Sequence, residues 1–328
     1  MADYILLERI QVENANCIAG FTYGFPAVTA FLGFEHALSR QLKQQIGIEL
    51  TGCAIFCHDY VVNSYQDFYT KFIQSRNPPL ALNNQKSKLG AKDPAPIIEE
   101  GKMDMKVSLL FRFDGILSSN TDLKAEYIQA IRNLVYQSRL AGGSIKKLDN
   151  VHILGDGAKD GSNLVNTVKK NLLPSFVLLD ATHLLSEHFE ANKPDKPLFD
   201  SWIDFFSFKE NAVKNAETDE IVWQRYTPPN KQGWIVPLMI GYKGISPLYS
   251  PEQVENLRDS RYPFRFVEAV HGLGEWKSLH RIQNLESLFW QYHVEDEWYL
   301  CQQNAVIPAK PTEIEDDIDS DFFSFLNN

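Results

Sequence analysis

The sequence has little cysteine and no long apolar run. Its four cysteines among 328 residues are consistent with reduced, structural thiols. No apolar stretch reaches the roughly 18 residues that a membrane-spanning helix requires, and the N-terminus carries no signal-peptide pattern. From these absences we predict a cytoplasmic protein with no membrane partner.

Motifs of common active sites are missing as well. The sequence contains no Walker loop and no GxSxG motif, and Gly272-Leu273-Gly274 alone is too weak to indicate a dinucleotide site. His183 and His188 lie five residues apart around Glu187, whereas the zinc-binding HExxH helix spaces its histidines by four. We therefore assign these histidines no role and predict no cofactor.

Cys53, Cys57 and His58 first suggest a metal site. On a strand, the two cysteines lie on one face about 13 Å apart, and His58 points to the other face. That separation is too large for a disulfide, and tetrahedral zinc could not gather the three side chains without bending the strand. We predict buried thiols and no metal.

Basic residues are outnumbered by acidic ones, which argues against a nucleic-acid binder. There are 32 Lys and Arg against 42 Asp and Glu, a formal net charge of −10, and phosphate contacts need cations. The distribution softens this argument, because six acidic residues lie between residues 313 and 321. Residues 71–106 have a local charge of +3 and residues 124–147 one of +4. The charge permits RNA binding without requiring it, since a solvated face explains either basic cluster alone.

The most informative stretch covers residues 14–42, where a strand ends, a glycine- and aromatic-rich loop follows, and a helix begins. Pro26 fits the first helical turn, where its missing N–H costs nothing. An apolar stripe at three- and four-residue steps then predicts a core-facing helix over residues 27–45. Its members are Phe31, Phe34, Leu38 and Leu42. The opposite side of this helix is formed by His36, Arg40 and Lys43. Such an arrangement can position an anionic backbone.

The order of elements in the first half is strand, helix, strand, insertion, strand and helix. This order is typical of the split βαβ, ferredoxin-like unit. The predicted strands and helices cover residues 4–12, 27–45, 52–62, 105–114 and 122–140. Residues 63–104 have no periodicity and form the insertion. A fourth strand is predicted at either 151–154 or 176–179, and both alternatives stay open.

The pattern in the second half of the chain supports only a coarse division into segments. A helical, acidic segment is expected over residues 186–228. Strands follow over residues 229–310, with a glycine turn at 272–274 and an aromatic helix near 285–293. We predict that residues 311–328 form an acidic tail with an apolar tip.

Short motifs along nearly the whole chain resemble those of one family. Each motif is weak alone, but all of them in this order are highly specific. They include Asn14-Ala15-Asn16, Tyr23-Gly24-Phe25-Pro26, Gly33-Phe34-Glu35-His36-Ala37-Leu38, Arg139-Leu140-Ala141-Gly142-Gly143-Ser144-Ile145, and Gly272-Leu273-Gly274-Glu275-Trp276 with His280-Arg281. On these motifs the chain resembles the subunit that binds the 5′ handle of the guide RNA (crRNA) in the type I-F CRISPR surveillance (Csy) complex, a member of the RAMP superfamily.

The resemblance implies an α+β fold. Residues 1–185 would form a ferredoxin-like, RRM-like RAMP domain whose 63–104 insertion serves as a thumb, and residues 229–310 would pack on the same body. It implies a non-catalytic role that grips the crRNA 5′ handle and pairs with the large subunit and the backbone subunits. A double-stranded DNA target would be met through the complex. The resemblance does not explain the tail at 311–328.

Candidate RNA-binding residues come from the N-terminal signature, the thumb and the glycine turns. The strand at 105–114 lacks an RNP1 pattern, and its predicted exposed face carries no aromatic residue, so RNA contact is expected through loops and turns. Glycine lets a backbone approach phosphate closely, and thumb lysines suit phosphate contact. The candidates are Asn14, Asn16, Tyr23, Phe25, His36, Arg40, Arg76, Asn77, Lys86, Lys88, Lys92, Arg139, Gly142, Gly143, Ser144, Gly272, Gly274, Trp276, His280 and Arg281. We predict no catalytic residue.

Two other functions stay open at this point. One is a RAMP endoribonuclease that processes crRNA precursors, with His36 as its general acid or base. No second residue of an acid–base pair is identifiable from the sequence. The other is a protein-only assembly scaffold, which the acidity and the tail would suit.

Overall fold

The fold is built on one ten-stranded sheet in which neighbouring strands run antiparallel. The computed structural model describes residues 3–76, 97–114, 121–155, 161–214, 220–227, 231–257 and 259–303. The helices in this part are α1 Val28–Ile46, α2 Thr121–Gln137, α3 Gly161–Leu172, α4 Thr182–Asn192 and α5 Leu198–Ile203. None of them is long and apolar enough to cross a membrane.

The strands are numbered in chain order. The first eight are β1 Asp3–Asn16, β2 Ile18–Ala19, β3 Thr22–Tyr23, β4 Glu49–Val62, β5 Ser64–Gln66, β6 Thr70–Arg76, β7 Ile97–Glu100 and β8 Lys102–Asp114. The others are β9 Arg139–Leu140, β10 Gly143–Leu154, β11 Phe176–Asp180, β12 Lys209–Lys214, β13 Ile221–Tyr226, β14 Trp234–Gly244, β15 Val267–Ser278, β16 Trp290–Glu295 and β17 Trp298–Gln303.

The first half of the chain forms one end of the sheet. Four long strands lie side by side in the order β4, β8, β1 and β10, with α1 between β1 and β4 and α2 between β8 and β10. The predicted succession of strands and helices is therefore observed. β10 contains residues 151–154 and pairs with β1. The other candidate for the fourth strand is β11, which pairs with β15 and with the end of β4.

Both faces of these strands are covered. α1 and α2 pack on one face, where Phe31 and Val135 join the largest apolar cluster. α3 covers the other face, where Val168 and Leu110 share a second cluster with the segment that follows β15. The second face of β8 was predicted to be exposed, but Ser108 and Leu110 are fully buried there. The prediction failed because α3 lies far from β8 in sequence.

The C-terminal strands curl back onto the edge of β4. β16 pairs with β4 at Trp290↔Cys53, and β11 pairs with it at Phe176↔Cys57. The strands β11, β15, β14, β17 and β16 therefore close a ring against β4. Trp290 is fully buried at this joint, and its Nε1–H donates to the Leu178 carbonyl at 3.0 Å. Ring closure leaves few strand edges free for wrong pairing.

The segment 186–228 is helical only in its first part. α4 ends at Asn192 and α5 is a short helix. β12 and β13 then pair as a separate two-stranded ribbon. The helical prediction is wrong here because Ile221–Tyr226 is rich in β-branched and aromatic residues, which favour a strand.

Two further C-terminal predictions are corrected by β15 and β16. Gly272-Leu273-Gly274 is not a turn, because it lies in the middle of β15 and pairs along β14. A Cβ on Gly274 would lie 3.1 Å from a side-chain carbon of Leu238, so close packing in the sheet explains this glycine. The aromatic helix near 285–293 is also wrong. A 3₁₀ turn covers Glu286–Leu288, and β16 begins at Trp290.

The insertion at 63–104 begins and ends as strands. β5, β6 and β7 form a small sheet inside it, and β8 already begins at Lys102. Of the thumb candidates, Arg76 is the last residue of β6. The others lie outside the described residues, as does the tail at 311–328; they are Asn77, Lys86, Lys88 and Lys92.

Substitution of Gly143 tests how closely β10 packs against β1, and substitution of Gly33 in α1 serves as its control. A Cβ on Gly143 would lie 2.7 Å from the Glu13 carbonyl oxygen, whereas a Cβ on the exposed Gly33 of α1 would meet nothing within 4 Å. We expect Gly143→Ala to lower the free energy of unfolding by roughly 2 kcal/mol. Gly33→Ala should raise it by roughly 0.5–1 kcal/mol. Urea unfolding followed by tryptophan fluorescence measures both, and an unchanged midpoint for Gly143→Ala would contradict the close approach to β1.

Candidate nucleic-acid interface

An open cleft of about 1060 Å³ lies between α1, the turn after β9 and the C-terminal strands. Three of the predicted RNA-binding residues line it, namely Asn16, Arg139 and Gly142. Its other walls are small or aromatic side chains. They include Thr29, Ala30, Gly33 and Ala37 of α1, Met239 and Tyr242 of β14, Ala269 of β15, and Tyr299 of β17.

α1 supplies one wall of the cleft because its two sides differ. The predicted apolar stripe is buried in the core, as Phe31, Phe34, Leu38 and Leu42 show. The cleft side carries the small residues at helical spacing. Gly47 closes the helix in the left-handed conformation, with its N–H on the Leu42 carbonyl. The small side chains leave the space that the cleft occupies.

Asn14 and Asn16 shape the loop that enters α1. Asn14 has a left-handed backbone with φ of 56°, and its N–H donates to Asp104 at 2.9 Å. The Asn16 side chain closes its own turn, because its Nδ2 donates to the Ile18 carbonyl at 2.9 Å and its Oδ1 accepts from the Ile18 N–H at 3.2 Å. The Asn16 N–H donates to the Ala141 carbonyl at 2.8 Å. Asn16 thus joins this loop to the opposite lip of the cleft.

The opposite lip is the tight turn between β9 and β10. Ala141 and Gly142 both have positive φ, and Arg139 pairs across the turn with the exposed Ser144. Arg139 is exposed, and its Nη1 donates to the Gly142 carbonyl at 3.3 Å. Gly143 is buried against β1, so it serves packing and does not line the cleft.

The predicted aromatic candidates separate into exposed and buried side chains. Tyr23 is 55% exposed and meets Phe72 of β6 edge-on at 5.2 Å between ring centroids. Phe25 stacks on Phe31 at 5.6 Å and meets Trp276 edge-on at 4.9 Å. Phe25 and Trp276 therefore pack against the core, while Tyr23 contacts β6 of the 63–104 insertion.

His36 and Arg40 lie one turn apart on the exposed side of α1. The His36 ring stacks on Tyr292 at 5.7 Å, with 21° between the ring planes. Within the described residues it has no hydrogen-bonded carboxylate or second imidazole that would complete an acid–base pair. Arg40 has no ion pair within those same residues.

The remaining C-terminal candidates lie away from the cleft. His280 and Arg281 belong to a 3₁₀ turn beside α3, where the His280 carbonyl accepts from Lys169 at 3.1 Å. The preceding Leu279 packs in the cluster on the face of the sheet opposite to α1. Gly272 and Gly274 are buried in β15. The geometry therefore does not unite these four residues with Arg139.

A second polar cluster crosses the sheet on the α3 side, and the sequence did not indicate it. The Arg9 N–H donates to Ser108 Oγ at 2.8 Å, and His58 Nε2 lies 2.8 Å from the same oxygen. His58 Nδ1 contacts the Pro174 carbonyl at 3.0 Å. Burial lowers the pKa of His58, against the effect of that carbonyl, and nearby Arg9 lowers it further. Both ring nitrogens have partners, so this cluster braces the sheet.

The four cysteines are buried thiols, as the sequence predicted. All four cysteines are free and buried, and burial raises the pKa of Cys57 and of Cys301 to about 12 each. No group of three or more metal-ligating side chains occurs among the residues that the structure describes. His188, which received no role, donates from Nε2 to the buried Asp204 at 2.8 Å.

Glu35 is a titratable group near the cleft that the sequence did not indicate. It belongs to α1 but faces the core and is 4% exposed. Burial raises its pKa to about 7, although the Gly52 N–H and Arg112 act in the opposite direction. Because the folded-state pKa lies above the unfolded value of 4.5, this group favours folding most below pH 4.5. That contribution is lost as the pH rises through 7.

Glu35→Gln tests this assignment, since glutamine keeps an acceptor for the Gly52 N–H but cannot ionise. We expect the stability of the variant relative to wild type to increase by on the order of 2 kcal/mol between pH 5 and pH 8. Urea unfolding at several pH values measures the difference. Glu49→Gln changes an exposed carboxylate at the start of β4 and serves as the control, with a constant difference expected. A constant difference for Glu35→Gln as well would refute the raised pKa.

Comparison with known proteins agrees with the motifs of the sequence. Residues 5–301 match the family model described as CRISPR-associated protein (Cas_Csy2). The chain is 35% identical over 313 residues to the CRISPR-associated protein Csy2 of Pseudomonas aeruginosa (strain UCBPP-PA14). That alignment covers 89% of this chain and 91% of the relative. The predicted family is confirmed: the chain belongs to the Cas_Csy2 family of CRISPR-associated proteins.

Proposed function

We propose that this protein is a non-catalytic RNA-binding subunit of a type I-F CRISPR antiviral effector complex. In this role it grips the 5′ handle of the crRNA and pairs with the large subunit and the first backbone subunit. It meets double-stranded DNA only through the assembled complex. Membership of the Cas_Csy2 family supports the complex, and the cleft supports the RNA.

The observation that carries the RNA proposal is the convergence of distant segments on one cleft. Asn16, Arg139 and Gly142 come from two parts of the chain more than a hundred residues apart, and all three line it. Arg139 places an exposed cation at the lip, where it can pair with a phosphate. The left-handed Ala141-Gly142 turn brings backbone amide groups to the same lip.

The arrangement of the first four long strands supports the finer fold proposal. The order β4, β8, β1 and β10, with α1 and α2 packed on one face, fits a ferredoxin-like RAMP domain. In this proposal the small sheet of β5, β6 and β7 is the root of the thumb. Tyr23 touches that root through Phe72, which links the cleft loop to the thumb.

His36 supplies the test of the non-catalytic role. General acid–base cleavage of RNA uses one group that accepts a proton and one that donates it. Among the described residues His36 has no hydrogen-bonded carboxylate or second imidazole, and its ring partner is Tyr292. His36→Ala should therefore leave the cleavage of crRNA precursors unchanged when the complete set of subunits is present. Gel analysis of the RNA from cells and a cleavage assay with the purified chain both measure this. Cleavage that is present in the wild-type chain and absent in His36→Ala would replace the proposal with an endoribonuclease.

Arg139→Glu tests the RNA proposal itself. The substitution places a negative charge at the lip of the cleft, so we expect the affinity of the complex for labelled crRNA to fall by about tenfold. The salt dependence of log Kd should also lose roughly one phosphate contact. Titration at three or more salt concentrations measures both quantities.

Arg225→Glu is the matched control for this experiment. It makes the same charge change at an exposed arginine of the separate β12–β13 ribbon, which does not line the cleft, and it should leave the affinity and the salt slope unchanged. Equal effects of the two variants would reject the cleft as the RNA site. A wild-type complex that purifies without RNA would instead favour the protein-only scaffold.

A further inference from the structure

Four aromatic rings form a continuous ladder from the exposed side of α1 into the cleft. His36 stacks on Tyr292 at 5.7 Å, and Tyr292 stacks on Tyr299 at 5.7 Å with 8° between the planes. Tyr299 in turn meets Tyr242 at 6.3 Å. Tyr242 and Tyr299 line the cleft, while His36 and Tyr292 are exposed beside it.

Strand register explains why these rings lie on one face. Tyr299 of β17 is directly opposite Tyr242 of β14. Tyr292 of β16 is opposite Cys301, two residues beyond Tyr299 on the same strand. Residues two apart on a strand share a face, and diagonal neighbours across a ladder are within reach of aromatic side chains. The ladder is therefore a property of three paired strands, and α1 adds its last ring.

The tyrosine hydroxyls of the ladder have no protein partner in the part of the chain that the structure describes. There, the hydroxyls of Tyr242, Tyr292 and Tyr299 make no hydrogen bond to another side chain or to the backbone. Burial raises the pKa of Tyr299 above its usual value, so its hydroxyl stays a donor at neutral pH. Tyr292 is 45% exposed, so the ladder reaches the surface beside His36.

The charges around the ladder favour an anionic, base-bearing ligand. Arg40 lies one helical turn from His36, and Arg139 faces the cleft from its other lip. Single-stranded nucleic acid is bound by this combination, in which aromatic rings hold bases and cations hold phosphates. An acidic protein segment would use the same rings and arginines, and the assembly measurement below distinguishes it from RNA.

We propose that the ladder of His36, Tyr292, Tyr299 and Tyr242 is a binding track for a short stretch of single-stranded RNA. A base stacks on His36 at the exposed end of the ladder, where Tyr292 supports the His36 ring from its other side, and the tyrosine hydroxyls bind the sugar–phosphate backbone on its way to Arg139. The inference rests on the proposed RNA-binding function and assigns that function a wall of the cleft that the motifs did not include.

Base stacking gives a direct readout. The complex is assembled on crRNA that carries 2-aminopurine at one position of the 5′ handle at a time, since the fluorescence of this base is quenched by stacking. We expect at least one position to be quenched in the wild-type complex and released in Tyr292→Ala. The affinity for crRNA should fall by about tenfold, as for the loss of one stacked base.

Two further variants separate the effect of the Tyr292 ring from the effect of its hydroxyl and from that of removing an exposed tyrosine elsewhere. Tyr292→Phe keeps the ring and should keep the quenching, with a smaller loss of affinity from the missing hydroxyl. Tyr262→Ala removes a tyrosine that is 62% exposed and lies outside the ladder, and it should change neither quantity. Because Tyr292→Phe preserves the packing, it remains informative even where Tyr292→Ala fails to enter the complex.

The contrary outcomes are distinct. Unchanged affinity and quenching in Tyr292→Ala, together with a loss in Arg139→Glu, would overturn the ladder and leave the RNA-binding function in place. Weakened assembly with the partner subunits in the absence of RNA would overturn it in favour of a protein contact. If neither the wild-type complex nor any variant retains crRNA, the proposed function itself fails.

Discussion

At the joint between β4 and the C-terminal strands, side chains make the hydrogen bonds that continued pairing of β11 with β4 would otherwise supply. β11 pairs with β4 only over its first two residues. Beyond them the Leu178 carbonyl accepts from Trp290 Nε1 and Gln303 Nε2, both at 3.0 Å, and the Asp180 N–H donates to Gln303 Oε1 at 2.8 Å. A buried backbone group without a partner costs roughly 1–3 kcal/mol. The ring of C-terminal strands can close because one indole and one amide satisfy these groups.

This joint also sets the position of the candidate site. Trp290 is fixed in the core, so Tyr292, two residues later on the same face of β16, reaches the surface beside His36. β17 is held at its far end by Gln303, which places Tyr299 between Tyr292 and Tyr242. The cleft is thus bounded on one side by a helix that packs on β4 and on the other by strands that are tied to β4 through Trp290.

Local patterns predicted the parts of this arrangement that depend on neighbouring residues. The stripe from Phe31 to Leu42 predicted the core face of α1, and the family motifs contain Asn16, Arg139 and Gly142, which line one cleft. The ladder could not be predicted, because it follows from the register of strands that lie far apart in sequence. The same limit explains the glycines of β15, whose close neighbours are Thr182 and Leu238. A sequence alone does not distinguish a glycine that permits a turn from one that permits close packing.

The net charge of −10 restricts how such a cleft can hold RNA. Counterion release contributes a slope of about 0.7 per phosphate contact for single strands, and the cleft and ladder offer exposed arginines chiefly at Arg139 and Arg40. In the proposed binding mode, these arginines therefore supply only part of the affinity. Stacking and hydrogen bonds from the tyrosines do not depend on salt in this way, and in this mode they would also fix the geometry of the bound strand. An acidic chain can in this manner combine specific binding of single-stranded RNA with a low non-specific affinity for nucleic acid.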